Sequence, residues 1–178
     1  VEYYAESEAD LIGKMELLET RLAEHSMGYA FVRALTAADQ ANMWAFRKAG
    51  LGLLMGMKGD AKPTSGVEDT CIPTNHLPEF VRRVQQAMTR HGVDACYYGH
   101  CSVGVLHIRP ILNLKDPKGI AILRALEEEM SDMALEYGGA MSAEHGDGLA
   151  RSEWIPKMFG GHIANLFEEV KEVFDPQG

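Results

Sequence analysis

Two stretches of this 178-residue chain hold side chains whose types and spacing could do chemistry. The first, "YYGHCSVGVLHIRP" (97–110), places His100 and His107 among residues that favour β-strand. Seven positions is an odd separation, so one unbroken strand would send the two imidazoles to opposite faces. A two-residue turn at Val103-Gly104, with the glycine at positive φ, removes the difficulty. His100 then lies directly opposite His107, and Tyr98 opposite Arg109, with cross-strand Cβ atoms about 5 Å apart on one face. Such a pair can share a metal ion or an anion. Arg109, on the same face, could bind an anionic substrate or form a plain ion pair. Two alternatives stand beside this: an incidental pair of histidines, and a structural zinc site through Cys96 or Cys101. The second is weakened because Cys101 points away from His100 and no CxxC occurs.

The second stretch is "SAEHGDG" (142–148), in which Glu144, His145 and Asp147 sit among small residues. Glycines at 146 and 148 allow close backbone approach. Glu144 could complete a His-His-Glu set, a nitrogen and oxygen donor mix that suits zinc, iron or manganese and leaves positions open to a substrate. His145 would then stand beside the ion as a free base, since imidazoles titrate near neutrality. The plain alternative is a polar turn.

The elements that must position these groups follow from periodicity. Residues 1–6 and 28–35 read as strands. Ser7 and Thr36 are N-caps for helices, the second ending at Gly50. Residues 51–67 are rich in glycine and read as a mobile loop carrying Lys58 and Lys62. "EDTCIP" is a short strand, and 76–92 an amphipathic helix with Phe80, Val84, Ala87 and Met88 inward. Two strands, a long helix from Asp116 to Gly138, the 142–148 stretch and two short helices complete the chain, and "EEE" (127–129) reads as a solvated helix face. The order predicts an α+β, ferredoxin-like fold: a largely antiparallel sheet with helices on one face, in two βαβ-type halves.

A formal net charge of −9 excludes nucleic acid as a natural partner, because phosphate binding needs a basic surface. No apolar run reaches the ~18 residues of a membrane-spanning helix. Three cysteines without paired spacing suit a reducing, cytoplasmic compartment, and peripheral association with an inner membrane is compatible with this. The chain starts without Met and stops at "FDPQG", so a fragment of a longer polypeptide is expected.

"MWAFRKAG" (43–50), "GHCSVGVLH" (99–107) and "SAEHGDGLARSEW" (142–154), in this order, resemble the C-terminal, substrate-side domain of the FAD-linked oxidase family, whose members include D-lactate dehydrogenase, the glycolate oxidase FAD subunit and D-2-hydroxyglutarate dehydrogenase. The resemblance covers nearly the whole chain, 1–178. It implies that His100, His107 and Glu144 bind a divalent metal and that His145 is the base taking the 2-hydroxyl proton. It further implies that Arg47 binds the substrate carboxylate; a lysine that helps in some members has no clean counterpart here, and Lys62 and Lys58 are the candidates for that place. The implied reaction is oxidation of a D-2-hydroxy acid to the 2-oxo acid with hydride passing to FAD. FAD would be held mainly by an N-terminal domain that is not part of this sequence, and an electron-acceptor protein or iron–sulfur module is a further expected partner. Where many members carry Gly-Asp-Gly-Asn between the two histidines, this chain has Ser-Val-Gly-Val (102–105). A metal-dependent hydrolase and a non-catalytic ferredoxin-like binding module are the competing readings.

Overall fold

The Ser7 hydroxyl accepts the Asp10 amide at 3.1 Å and so opens the first helix, α1 (Glu8–Glu24). The Thr36 hydroxyl accepts the Asp39 amide in the same way ahead of α2 (Ala37–Met55). A side-chain acceptor at this position satisfies one of the amides that the first turn leaves free. The computed structural model describes residues 1–178, and the chain divides into two compact units, Val1–Gly52 and Leu53–Gly178.

In the first unit, Arg33 clasps Glu19 with two hydrogen bonds of 2.7 and 2.6 Å. No residue of this unit is buried. The segments expected as strands at 1–6 and 28–35 form no ladder. Their residue types suit a pleated surface, but a strand exists only where another offers its backbone groups, and no partner strand pairs with them. α2 also runs past Gly50 to Met55. Glycine costs a helix only about 1 kcal/mol, and the leucines and Met55 that follow are good helix formers.

The second unit holds the sheet. β1 (Lys62–Pro63), β2 (Thr70–Cys71) and β3 (Ala95–His100) all pair antiparallel with β4 (Val105–Leu112). An antiparallel bridge from Cys71 to Ala140 adds one more position beyond β2. With α3 (Leu77–His91) between β2 and β3, and α4 (Pro117–Glu136) between β4 and Ala140, the order is β-α-β-β-α-β. Of the two halves expected, this one is built as a ferredoxin-like layer. Short helices α5 (Gly148–Arg151), α6 (Ile155–Phe159) and α7 (Gly161–Phe174) follow.

α3 buries Leu77, Phe80, Val84, Ala87 and Met88, a 3.6-residue stripe, and ends where Gly92 takes a left-handed φ of 65°. α4 starts on the Asp116 cap with Pro117 in its first turn and buries Leu126, Met130 and Met133. These stripes close over Ile72, Leu106 and Ile108 of the sheet region. Fully burying a side chain such as Phe80 stabilises by roughly 1.5–3 kcal/mol. Side chains alternate along a strand, so Leu106 and Ile108 facing the helices leave His107 and Arg109 on the opposite face.

The acidic run on α4 is not uniformly solvated. Glu127 is 6% exposed, and burial raises its carboxyl from 4.5 to about 6. The native state therefore holds this proton more tightly than the unfolded chain does. Between pH 4.5 and 6 the strain of an ionised buried carboxylate grows as pH rises, and above 6 it amounts to about 2 kcal/mol. Glu127→Gln is expected to gain stability of that order over the wild type at pH 7 and little at pH 4.5, measured by urea denaturation at both values.

Candidate functional site

The β3–β4 reversal sets the first part of the site. Its turn is longer than the two-residue loop expected: Cys101–Val103 form a 3-10 turn that Gly104 closes at φ 82°. Ile72 donates its amide to the Gly104 carbonyl at 3.0 Å, and a Cβ at Gly104 would collide with the Ile72 carbonyl oxygen. Only glycine fits that φ and that approach. The register consequently moves by two: His100 pairs with Val105, Tyr98 with His107, and Cys96 with Arg109. A slip of two preserves the face, because side chains alternate with period two. His100 and His107 thus remain on one side as diagonal neighbours, with ring centroids 5.3 Å apart and planes crossing at 88°.

The 142–148 segment brings the carboxylate. Glu144 Oε1 stands 3.2 Å from His100 Nε2 and 3.0 Å from His107 Nε2. His145 stacks on His107 with a centroid distance of 4.8 Å, and its Nε2 is 3.8 Å from the same Glu144 oxygen. His107 is buried, whereas the side chains of His100, Glu144 and His145 are 44, 46 and 40% exposed. The cluster therefore has a buried floor and an open rim. Burial, then the neighbouring His145, hold His107 below the ordinary imidazole range.

The segment is held in place by Asp69, which sequence reading did not single out. Asp69 is fully buried, and its backbone takes a left-handed φ of 78°, a conformation Asp tolerates better than most residues. Its Oδ2 accepts from the Ser142 hydroxyl at 3.0 Å and from the amides of Ala143, Glu144 and His145 at 2.9, 3.0 and 2.8 Å. Burial works to raise this carboxyl, but the donors from His145, Glu144 and Ser142 outweigh it and hold it below the ordinary range. The only sequence signal was a pair of adjacent acids, Glu68-Asp69, at the head of a predicted strand. Arg151, 4% exposed, ties Glu68 to the Gly146 carbonyl, and its amide donates to the Asp147 carbonyl at 3.1 Å.

The remaining predicted residues are placed as follows. Arg109 donates Nε to the Tyr98 hydroxyl at 2.7 Å on the histidine face. Lys62 pairs with Leu112, roughly 17 Å along β4 from His107 at ~3.4 Å per residue, and its ammonium donates to the Met57 carbonyl. Arg47 lies in the first unit, with its guanidinium 5.9 Å from the Trp44 ring centre. The three cysteines are free. No helix is long and apolar enough to cross a membrane.

The α+β layer thus carries a His-His-Glu cluster with a third histidine beside it, and comparison with known proteins shows the family. Residues 1–178 match the family described as FAD linked oxidases, C-terminal domain, and the chain belongs to it. It is 33% identical over 183 residues to the D-2-hydroxyglutarate dehydrogenase of Escherichia coli (strain K12), covering 99% of this chain and 18% of that protein. It is 27% identical over 120 residues to the D-lactate dehydrogenase of Archaeoglobus fulgidus, covering 67% of this chain and 26% of that one. The glycolate oxidase subunit GlcD of Bacillus subtilis is 22% identical over 116 residues, 65% of this chain and 25% of its own length. The chain thus spans between about a sixth and a quarter of the length of these relatives.

Proposed function

We propose that these residues form the substrate- and metal-binding part of a flavin-dependent oxidoreductase that converts a D-2-hydroxy acid to the 2-oxo acid. The observation that carries this is the convergence of His100 Nε2 and His107 Nε2 on one oxygen of Glu144, in a member of the FAD-linked oxidase family. With metal–ligand bonds of 2.0–2.2 Å, tetrahedral donors stand roughly 3.3–3.5 Å apart. The separations of 3.2 and 3.0 Å from Glu144 come within a few tenths of that, and Asp69, His107, Glu144 and His145 offer donor atoms within 4.8 Å of one another, so nitrogen and carboxylate donors gather here as a divalent ion of the zinc, iron or manganese kind needs. Such an ion supplies polarisation of the substrate hydroxyl and carboxylate oxygens.

The chain's own groups do the rest. His145, with Nε2 on the open rim, takes the proton of the 2-hydroxyl. Arg109 binds the carboxylate, where a planar guanidinium offers two parallel donors, and the family resemblance gives the same task to Arg47. A share for Lys62 in that task requires its contact with Met57 to break. FAD supplies the hydride acceptor and is assigned to another domain of the same polypeptide. An electron-acceptor protein or iron–sulfur module, in the cytoplasm, completes the proposed partner set.

Elemental analysis of the full-length polypeptide tests the reading. The wild type is expected to carry near-stoichiometric divalent metal and His100→Ala less than about a tenth of it. Equal metal in both, or none in either, overturns the metal site. Metal-dependent hydrolysis with no flavin present would favour a hydrolase instead.

A further inference from the structure

His107 lies between two carboxylates, and only one of them belongs to the proposed metal set. On its Nε2 edge stands Glu144 Oε1 at 3.0 Å, part of the open rim. On its Nδ1 edge stands Asp69 Oδ1 at 3.9 Å, sealed from solvent. Both atoms of this second pair, His107 Nδ1 and Asp69 Oδ1, are buried without a hydrogen-bond partner. Buried polar atoms nearly always find partners, and these two face each other roughly one ångström beyond hydrogen-bond length. His145 Nδ1 also faces Asp69 Oδ1, at 3.7 Å. The other oxygen of Asp69 is fully engaged by the segment that carries Glu144 and His145.

We propose that Asp69 is the positioning residue of the site: Oδ1 keeps the proton of His107 on Nδ1, leaving Nε2 free to bind metal, while Oδ2 fixes the backbone that presents Glu144 and His145. One buried carboxylate thereby couples the sheet-borne donor to the loop-borne donor and to the base. The inference rests on the metal reading above and goes beyond it: Asp69, although its carboxylate lies within 4.8 Å of donor atoms of His107, Glu144 and His145, stands outside the His-His-Glu set proposed there. Its bridging geometry separates it from a plain loop anchor. A metal-bound imidazole is held in the correct tautomer by an acceptor on its other nitrogen, and loss of that acceptor typically weakens metal binding ten- to a hundredfold.

Asp69→Asn separates the two roles. The Asn carbonyl oxygen can still accept the three amides and the Ser142 hydroxyl, so the segment stays folded. Its amide nitrogen then faces His107 Nδ1 as a donor and drives the proton to Nε2. In the full-length polypeptide, with Co(II) as the probe, we expect Asp69→Asn to melt within a few degrees of the wild type. It is expected to bind Co(II) ten- to a hundredfold more weakly, with an altered d–d spectrum. Asp69→Ala loses melting temperature and affinity together, and Glu144→Gln loses affinity alone. Wild-type affinity and spectrum in Asp69→Asn reduce Asp69 to a loop anchor and overturn the proposal while sparing the metal site. A wild type that takes up no Co(II) removes both. Should Asp69→Asn fail to fold, Ser142→Ala in the same assay decides: it removes one donor to Oδ2 only, and a wild-type spectrum from it is expected, whereas a loss matching Asp69→Ala would assign the whole effect to the loop.

Discussion

His145→Gln in the full-length polypeptide is expected to lower turnover of a D-2-hydroxy acid by about 10²–10⁴-fold while leaving metal content and melting temperature unchanged. His145 Nε2 is 3.8 Å from Glu144 Oε1, too far to be a partner of that oxygen and close enough to touch a hydroxyl held beside it. Its ring stacks on buried His107, and its amide is pinned by Asp69, so the imidazole is oriented by groups that do not themselves react. Glutamine keeps approximate size and polarity but cannot take a proton. His145→Ala in the presence of added imidazole supplies the control: partial recovery of rate assigns the loss to a missing base rather than a disturbed site. A turnover within threefold of the wild type for His145→Gln would remove the base from this position.

How much of this was legible beforehand depended on range. Locally encoded features were readable: the Ser7 and Thr36 caps and the stop at Gly92 rest on contacts within a few residues, and the stripe Phe80, Val84, Ala87 and Met88 is written in the 3.6-residue period of its own helix. The shared face of His100 and His107 was readable because it depends only on the parity of the turn. The turn's length was not readable, since Ile72, some thirty residues earlier, helps fix Gly104. The strands expected at 1–6 and 28–35 failed for the same reason in reverse: β-prone side chains do not specify a partner. Glu127 was misread because the glycine that makes room for its carboxylate, Gly66, lies in a segment taken for a mobile loop. Asp69 was missed because its importance consists wholly of partners at 107 and 142–145.

The buried pair beneath the 142–148 segment yields the largest expected stability effect. Arg151 and Glu68 are 4 and 5% exposed, with Arg151 Nη1 standing 3.3 Å from Glu68 Oε1 and donating to the Glu68 carbonyl at 3.1 Å. The second carboxylate oxygen of Glu68 accepts the Gly66 amide at 2.6 Å, and Arg151 Nη2 reaches the Gly146 carbonyl. Arg151→Met would leave the Glu68 charge without its counter-ion and the Gly146 carbonyl without its donor. Breaking one side of a buried pair costs about 3–5 kcal/mol, a large fraction of a domain's stability. The double variant Glu68→Gln/Arg151→Met removes the stranded charge as well, so its loss in urea denaturation should be smaller than that of Arg151→Met alone. Additive losses would instead mean that Arg151 stabilises through packing and the Gly146 contact. In either outcome Gly146 loses its tether. Metal affinity is therefore expected to fall in both variants, because the residues two and one positions before Gly146 are the proposed ligand Glu144 and the proposed base His145.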